Sequence, residues 1–85
     1  MPKTIFGGGH PHLVAVLTEA RQRSGLTQAQ LAEKIGKDQT YISIIERAQR
    51  RVDVLEFITL ARALGKDPAK LFGEVLKRLP EGFSI

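Results

Sequence analysis

Helix-start signals divide this chain into short segments and so limit what it can fold into. Thr27 with Gln30 three positions later matches the capping box, and so does Asp53 with Glu56. In a capping box two side chains bond N–H groups that the first helical turn leaves free. Asp38 is a further N-cap candidate, and apolar residues recur at helical spacing after each signal. The sequence therefore predicts a helix immediately after each of the three caps.

Two further helices complete the predicted fold. The first, from about residue 11 or 12 to residue 24, places Leu13, Leu17 and Ala20 at i, i+4 and i+7. The last follows the cap Asp67 and a proline, Pro68, at the first helical position. Period-two alternation of useful length is absent from the sequence after residue 10, so we expect an all-α domain of five helices.

The length and composition restrict the domain organisation and the chemistry. A domain of 85 residues buries only about 60% of its unfolded surface, so we expect one small domain and no deep enzyme cleft. The absence of cysteine excludes disulfides, thiol nucleophiles and Cys-based zinc sites. No catalytic triad, HExxH motif or closely spaced carboxylate pair is present in the sequence, so we predict neither catalysis nor a cofactor.

The ends of the chain differ in composition from its middle. The three glycines at positions 7 to 9 predict a flexible arm over residues 1–9, followed by the domain over residues 10–79 and a tail over residues 80–85. His10 and His12 have no third ligand near them in sequence, so we interpret them as part of a mobile tail rather than a metal pair.

Charge and hydropathy bear on the partner and the compartment. Thirteen Lys and Arg residues against nine Asp and Glu give a net charge of +4, which favours a polyanionic partner. A solvated basic surface with no partner is the alternative. No apolar run approaches the roughly 20 residues that cross a bilayer, so we predict a cytoplasmic protein with no membrane association.

The third predicted helix has one polar and one apolar face. At 100° per residue, the polar face consists of Gln39, Thr40, Ser43, Ile44 and Arg47, and the opposite face consists of Tyr41, Ile42, Ile45 and Glu46. Amide, hydroxyl, guanidinium and aliphatic groups are those that bond base edges in the DNA major groove. An ordinary solvent-facing helix is the alternative. A preceding helix across a three-residue turn with a glycine favours a helix-turn-helix instead.

Three segments at characteristic separations carry a family resemblance. They are LTQAQLAEKIG at 26–36, QTYISIIER at 39–47 and LARALGKDP at 60–68. Together they closely resemble the Cro/C1-type helix-turn-helix family of phage repressors and bacterial xenobiotic-response-element-like regulators, over roughly residues 13–76. The resemblance implies a five-helix lambda-repressor-like fold.

The resemblance also implies roles for individual residues. The residues that match base-reading positions are Gln39, Thr40, Ser43 and Ile44. The residues assigned to DNA phosphates are Gln28, Lys37, Arg47, Arg50 and Arg51. Arg21 and Glu46 match a structural ion pair. Relatives usually have a polar residue in place of Ile44, which leaves thymine-methyl contact or packing as its options. They also usually have a glycine at Ala48 and a proline near Val52, so we expect a differently shaped loop here.

We therefore expect a sequence-specific DNA-binding transcriptional regulator, a repressor, that inserts the helix at 39–47 in the major groove of double-stranded DNA. The resemblance implies a homodimer. One alternative is an antitoxin-like or partner-bound module in which binding to a protein is primary, and another is a helical scaffold without nucleic acid. The apolar residues near the C-terminus could form either a dimer contact or a core edge with a frayed tail; they are Val75, Leu76, Leu79, Phe83 and Ile85.

Overall fold

A computed structural model describes residues 8–85 of the chain. Within that range the chain forms five helices and no strand, which confirms the expected all-α class. The helices are α1 (His10–Arg23), α2 (Gln28–Lys34), α3 (Gln39–Glu46), α4 (Val54–Ala63) and α5 (Pro68–Arg78). Most of the predicted N-terminal arm, residues 1–7, lies outside the described residues.

The predicted caps form at the starts of the helices. Thr27 accepts a hydrogen bond of 3.0 Å from the Gln30 backbone N–H, and the Gln30 side chain accepts one of 2.9 Å from the Thr27 N–H. Asp53 and Glu56 make the same reciprocal pair at the start of α4, at 2.7 and 3.0 Å. The side chain of Asp38 caps α3 by accepting from a backbone N–H at 3.2 Å. These bonds satisfy N–H groups that would otherwise lack partners, and so they fix where each helix begins.

One hydrophobic core joins the helices and fixes the orientation of α3. Ile42 and Ile45 on its inner side are each 2% exposed. They pack in a cluster with apolar residues of α1, α2, α4 and α5, among them Leu17, Leu31, Phe57 and Leu71. Because the apolar side of α3 is buried in this cluster, its polar side must face outward.

The N-terminal end of α1 differs from the expectation. The helix begins at His10, because Pro11 fits its first turn. The imidazole of His10 is buried, and its Nε2 hydrogen bonds the Arg50 carbonyl oxygen at 2.9 Å. The interpretation of His10 as part of a mobile tail is therefore wrong. Burial is the main effect that lowers the pKa of His10; the bond to the carbonyl opposes it and nearby Arg51 adds to it.

The C-terminal residues pack against the start of α1. The Gly9 N–H donates a 2.8 Å hydrogen bond to the Ser84 carbonyl oxygen. A Cβ atom added at Gly9 would lie 2.7 Å from Cδ2 of Phe83, so a larger residue here would force the Phe83 side chain to move. The apolar residues singled out near the C-terminus differ in burial: Val75 lies in the core, whereas Ile85 remains largely exposed.

None of the helices described here is long and apolar enough to span a bilayer.

Candidate nucleic-acid interface

A tight turn sets the geometry of α2 and α3. Residues 35–38 separate the two helices, and Gly36 has a φ of 73°, in the left-handed region that glycine adopts readily. The Lys37 N–H donates a 2.9 Å bond back to the Ala32 carbonyl, which closes the end of α2. Two short helices that pack against each other across such a turn are a helix-turn-helix.

The outer face of α3 is the one that helical spacing predicts. Gln39, Thr40 and Arg47 are exposed, while Ser43 and Ile44 are partly exposed. This face offers amide, hydroxyl and aliphatic groups together with one guanidinium. It has the chemical groups that bond base edges, on a helix that can enter the major groove.

A chain of hydrogen bonds orients the first residue of this face. The Gln39 side-chain amide donates to the side-chain oxygen of Gln28 at 2.7 Å. Gln28 in turn donates to Oε1 of Glu46 at 2.9 Å. Gln39 at the start of α3 is therefore held by the first residue of α2, which is itself held by the last residue of α3.

The hydrogen bond to Gln28 leaves Gln39 with groups suited to adenine. A glutamine amide has two N–H donors and one carbonyl oxygen. One N–H of Gln39 is used by Gln28, which leaves one donor and one acceptor on the exposed side chain. Bidentate contact with the N7 and N6 groups of adenine needs one donor and one acceptor. The exposed side chain of Gln39 therefore keeps the one donor and one acceptor that such a contact requires.

Arg21 and Glu46 form an ion pair beneath this chain of bonds. Arg21 Nε donates to Glu46 Oε2 at 2.6 Å and Nη2 donates to Oε1 at 3.0 Å. A third bond, of 2.8 Å, joins Arg21 to the Leu26 carbonyl oxygen. The two side chains are only 13% and 9% exposed. This pair ties α1 to the end of α3, so Arg21 and Glu46 support the interface from below.

The residues predicted to contact phosphates differ in their surroundings. Lys37 and Arg47 are exposed near the two ends of α3. Gln28 is bonded to Glu46 and Gln39, as described above. Arg51 donates to the Ile85 carbonyl oxygen at 2.9 Å.

Arg50, another predicted phosphate ligand, is held by an ion pair within the chain. It forms a bidentate ion pair with Glu56, at 3.2 and 2.8 Å, so its guanidinium is already paired within the chain. The Tyr41 hydroxyl donates to the same carboxylate at 2.6 Å, and the guanidinium lies 5.3 Å from the tyrosine ring centre. These contacts tie the loop after α3 to α4 and give Arg50 a structural role that its charge alone did not reveal.

The contacts among Tyr41, Arg50 and Glu56 shift the pKa values of the tyrosine and the carboxylate. Burial is the main effect that raises the pKa of Tyr41 to about 12, and the bond to Glu56 acts in the same direction. Burial would raise the pKa of Glu56, but the bonds from Arg50, Tyr41 and the Asp53 backbone outweigh it and hold the pKa at about 2. The sequence indicated Glu56 only as a capping residue. A single residue thus both caps α4 and holds the loop.

The loop after α3 keeps a left-handed residue without glycine. Ala48 has a φ of 57°, and its N–H donates to the Ile45 carbonyl at 2.9 Å. The Gln49 N–H donates to the Ile44 carbonyl at 3.0 Å, which completes a Schellman motif. Ala48 thus adopts the left-handed conformation that glycine favours, although it has a side chain. Backbone hydrogen bonding outweighs the steric cost.

Among residues 8–85, no three His, Cys, Asp or Glu side chains come together as metal ligands would.

Comparison with known proteins agrees with this geometry. Residues 17–71 match the model of the helix-turn-helix family. The chain belongs to this family, and its fold is that of a DNA-binding protein of the Cro/C1 type.

Individual relatives include solved structures and a control protein. An XRE-family like protein from Pseudomonas syringae pv. tomato str. DC3000 is 38% identical, with a TM-score of 0.80 over 92% of this chain and 95% of that one. The restriction-modification controller protein C.Esp1396I is 29% identical, with a TM-score of 0.75 over 81% and 88%. Control protein C.SmaI from Serratia marcescens is 43% identical over 51 residues, which are 60% of this chain and 61% of that protein.

Proposed function

We propose that this chain is a sequence-specific transcriptional regulator that reads DNA by placing α3 in the major groove. The observation that carries the proposal is the outer face of α3, on which Gln28 holds Gln39 with one donor and one acceptor free. The names of its relatives support a regulatory role, since one is a restriction-modification controller protein and another is a control protein. The proposed activity is binding to double-stranded DNA, without a chemical step, by a protein that acts in the cytoplasm.

We propose repression as the direction of regulation. Repression requires only that the protein occupy its site, whereas activation also requires a productive contact with the transcription machinery. The outer face of α3 is the surface that we propose for DNA binding, and occupancy through it is all that repression needs. Repression is therefore the simpler outcome of binding by this domain.

The proposed regulator acts as a homodimer through an apolar face of α4 and α5. Val54 and Leu55 are 71% and 74% exposed at the start of α4, and Phe72 is 46% exposed on α5. A surface pocket of about 380 Å³ lies between these helices, lined almost entirely by apolar side chains. Exposed apolar patches of this kind mark interaction surfaces. A two-fold dimer would place its two copies of α3 on half-sites about 34 Å apart.

Selection of binding sites from a random pool of double-stranded DNA tests the reading function. We expect a defined consensus, and we expect Gln39→Ala to cost about 1–3 kcal/mol at one base position. Its effect on random DNA should be small. Gln22→Ala is the matched control, because Gln22 is exposed on α1. If Gln39→Ala weakens operator and random DNA equally, the proposed reading role is wrong.

Sedimentation of Val54→Glu tests the dimer. An acidic residue in the first turn of α4 suits the positive end of the helix, so the monomer should remain folded. The buried charge should dissociate the dimer and weaken binding to a two-fold consensus. A monomeric wild-type protein, or a consensus without two-fold symmetry, would contradict the dimer while leaving the reading face of α3 intact.

A further inference from the structure

One apolar side chain interrupts the polar outer face of α3. Ile44 is partly exposed, and it lies between Thr40, one turn earlier, and Arg47, almost one turn later. Ile44 follows the buried residue Ile42 by two positions, so the rotation of about 100° per residue turns it roughly 160° away from Ile42. Its side chain therefore belongs to the outer face and not to the side that anchors α3.

Packing in the core does not account for Ile44. The core of the described residues includes Ile42 and Ile45 of the same helix, and Tyr41 is partly buried against it. Ile44 is neither a member of this core nor one of the partly buried apolar residues packed against it. Of the two roles that the sequence left open for Ile44, contact with DNA is thus the one that its position favours.

The major groove of DNA offers one apolar group on the edges of its base pairs. Thymine carries a methyl group at C5 of its ring, whereas cytosine carries only a hydrogen there. The other groups on these edges are hydrogen-bond donors and acceptors. An aliphatic side chain forms no hydrogen bond with them, so the C5 methyl group is the one that an isoleucine on this face can recognise.

We propose that Ile44 recognises the C5 methyl group of a pyrimidine, either thymine or 5-methylcytosine. This proposal rests on the proposed function, because it requires α3 to lie in the major groove. Isoleucine has no donor or acceptor with which to distinguish O4 of thymine from N4 of cytosine, so it responds to the methyl group alone. Methylation of a cytosine at this position of the binding site should therefore strengthen binding.

Burial of one methyl group sets the size of the expected effect. Such burial changes affinity roughly fourfold. Thr40 also has a methyl group, and it lies near Ile44 on the same side of α3 because the two are four residues apart. A test of Ile44 must therefore separate its contribution from that of the threonine methyl group.

Duplexes that differ by a single methyl group provide the test. In the selected consensus, each thymine is replaced in turn by deoxyuridine, which keeps the base pair and its hydrogen-bonding groups. We expect a position at which this replacement weakens binding of the wild-type chain roughly fourfold. With cytosine at that position, conversion to 5-methylcytosine should strengthen binding by a similar factor. Fluorescence anisotropy at one fixed salt concentration gives the affinities.

Variants at Ile44 and Thr40 assign the methyl effect to a side chain. Ile44→Ala should bind the thymine and uracil duplexes equally well, and Ile44→Gln should do the same if the alanine variant folds poorly. Both replacements favour helix formation, so α3 should persist. Thr40→Ser removes only the threonine methyl group and is the matched control, which should keep the full effect. A full methyl effect in both Ile44 variants, or its loss in Thr40→Ser alone, would overturn the proposal.

Failure of this proposal is distinguishable from failure of the proposed function. If selection yields a consensus that depends on Gln39, but no position shows a methyl effect that depends on Ile44, the reading function stands and the role of Ile44 is wrong. If selection yields no consensus, both proposals are wrong.

Discussion

The side-chain amide of Gln39 donates a 2.7 Å hydrogen bond to Gln28, which joins the first residue of α3 to the first residue of α2. A residue that reads a base must lose its side-chain freedom when it binds, and this loss weakens affinity. In this chain, part of that side-chain freedom is already lost before DNA binds, because Gln28 holds the Gln39 amide. Under the proposed function, Gln28 would therefore act on base reading through Gln39, in addition to the phosphate contact predicted for it.

A double-mutant cycle should measure this coupling. If Gln28 orients Gln39, the operator affinity lost in Gln28→Ala and Gln39→Ala will not add in the double variant. The expected coupling is about 0.5–3 kcal/mol, the range for residues in one hydrogen-bond network. The measurement is the affinity of the four proteins for the selected consensus. Additive losses would show that the two residues contact DNA independently.

Charge removal at Glu46 should destabilise the fold strongly. Glu46→Gln leaves the guanidinium of Arg21 largely buried without its counter-ion, at an expected cost of about 3 kcal/mol. Urea unfolding monitored by circular dichroism gives the change. Arg23→Ala is the comparison, since its pair with Glu19 lies on the surface at 3.3 Å, and the midpoint should not move. Similar losses in the two variants would mean that the Arg21–Glu46 pair behaves as a surface pair.

The low pKa of Glu56 should affect how the free energy of unfolding decreases at acid pH. Its pKa falls from the ordinary 4.5 to about 2 on folding. Its contribution is therefore complete above pH 4.5 and is lost as the pH falls towards 2. In Glu56→Gln the free energy of unfolding should therefore fall less steeply as the pH is lowered through this window. Glutamine can still complete the capping box with Asp53, so the helix start is preserved.

Urea midpoints measured across that pH window provide the test, with Glu33→Gln as the control. Glu33 is exposed on α2, and its replacement should leave the shape of the acid side unchanged. An acid side with the same slope in Glu56→Gln and in the wild type would contradict the role assigned to Glu56.

The helix starts and the outer face of α3 could be predicted because they depend on neighbours in sequence. Thr27 and Gln30 are three residues apart, and the residue types at this spacing are enough to predict their capping box. The buried position of Ile42 and Ile45 follows from the 100° rotation per residue and from their apolar side chains. Local chemistry of this kind is the same in any fold.

The contacts that hold the loop and tail could not be predicted from spacing. His10 and the Arg50 carbonyl are 40 residues apart, and Arg51 and Ile85 are 34 apart, so their meeting depends on how the helices pack. The burial of His10 could therefore not be predicted from its neighbours in sequence. The three loop arginines have the same charge in the sequence, but Arg50 alone of them is paired with Glu56. A basic residue is visible in a sequence, but its counter-ion is not.

Replacement of Ala48 by glycine should stabilise the protein. Ala48 has a φ of 57°, where a Cβ atom is sterically unfavourable, and glycine removes that cost. Glycine also makes the unfolded chain more flexible, so the expected net gain is about 1 kcal/mol or somewhat less. Ala15→Gly in the middle of α1 is the matched control and should instead lose about 1 kcal/mol. Thermal unfolding of both variants gives the sign of each change, and a loss in Ala48→Gly would show that the loop carries no strain at this residue.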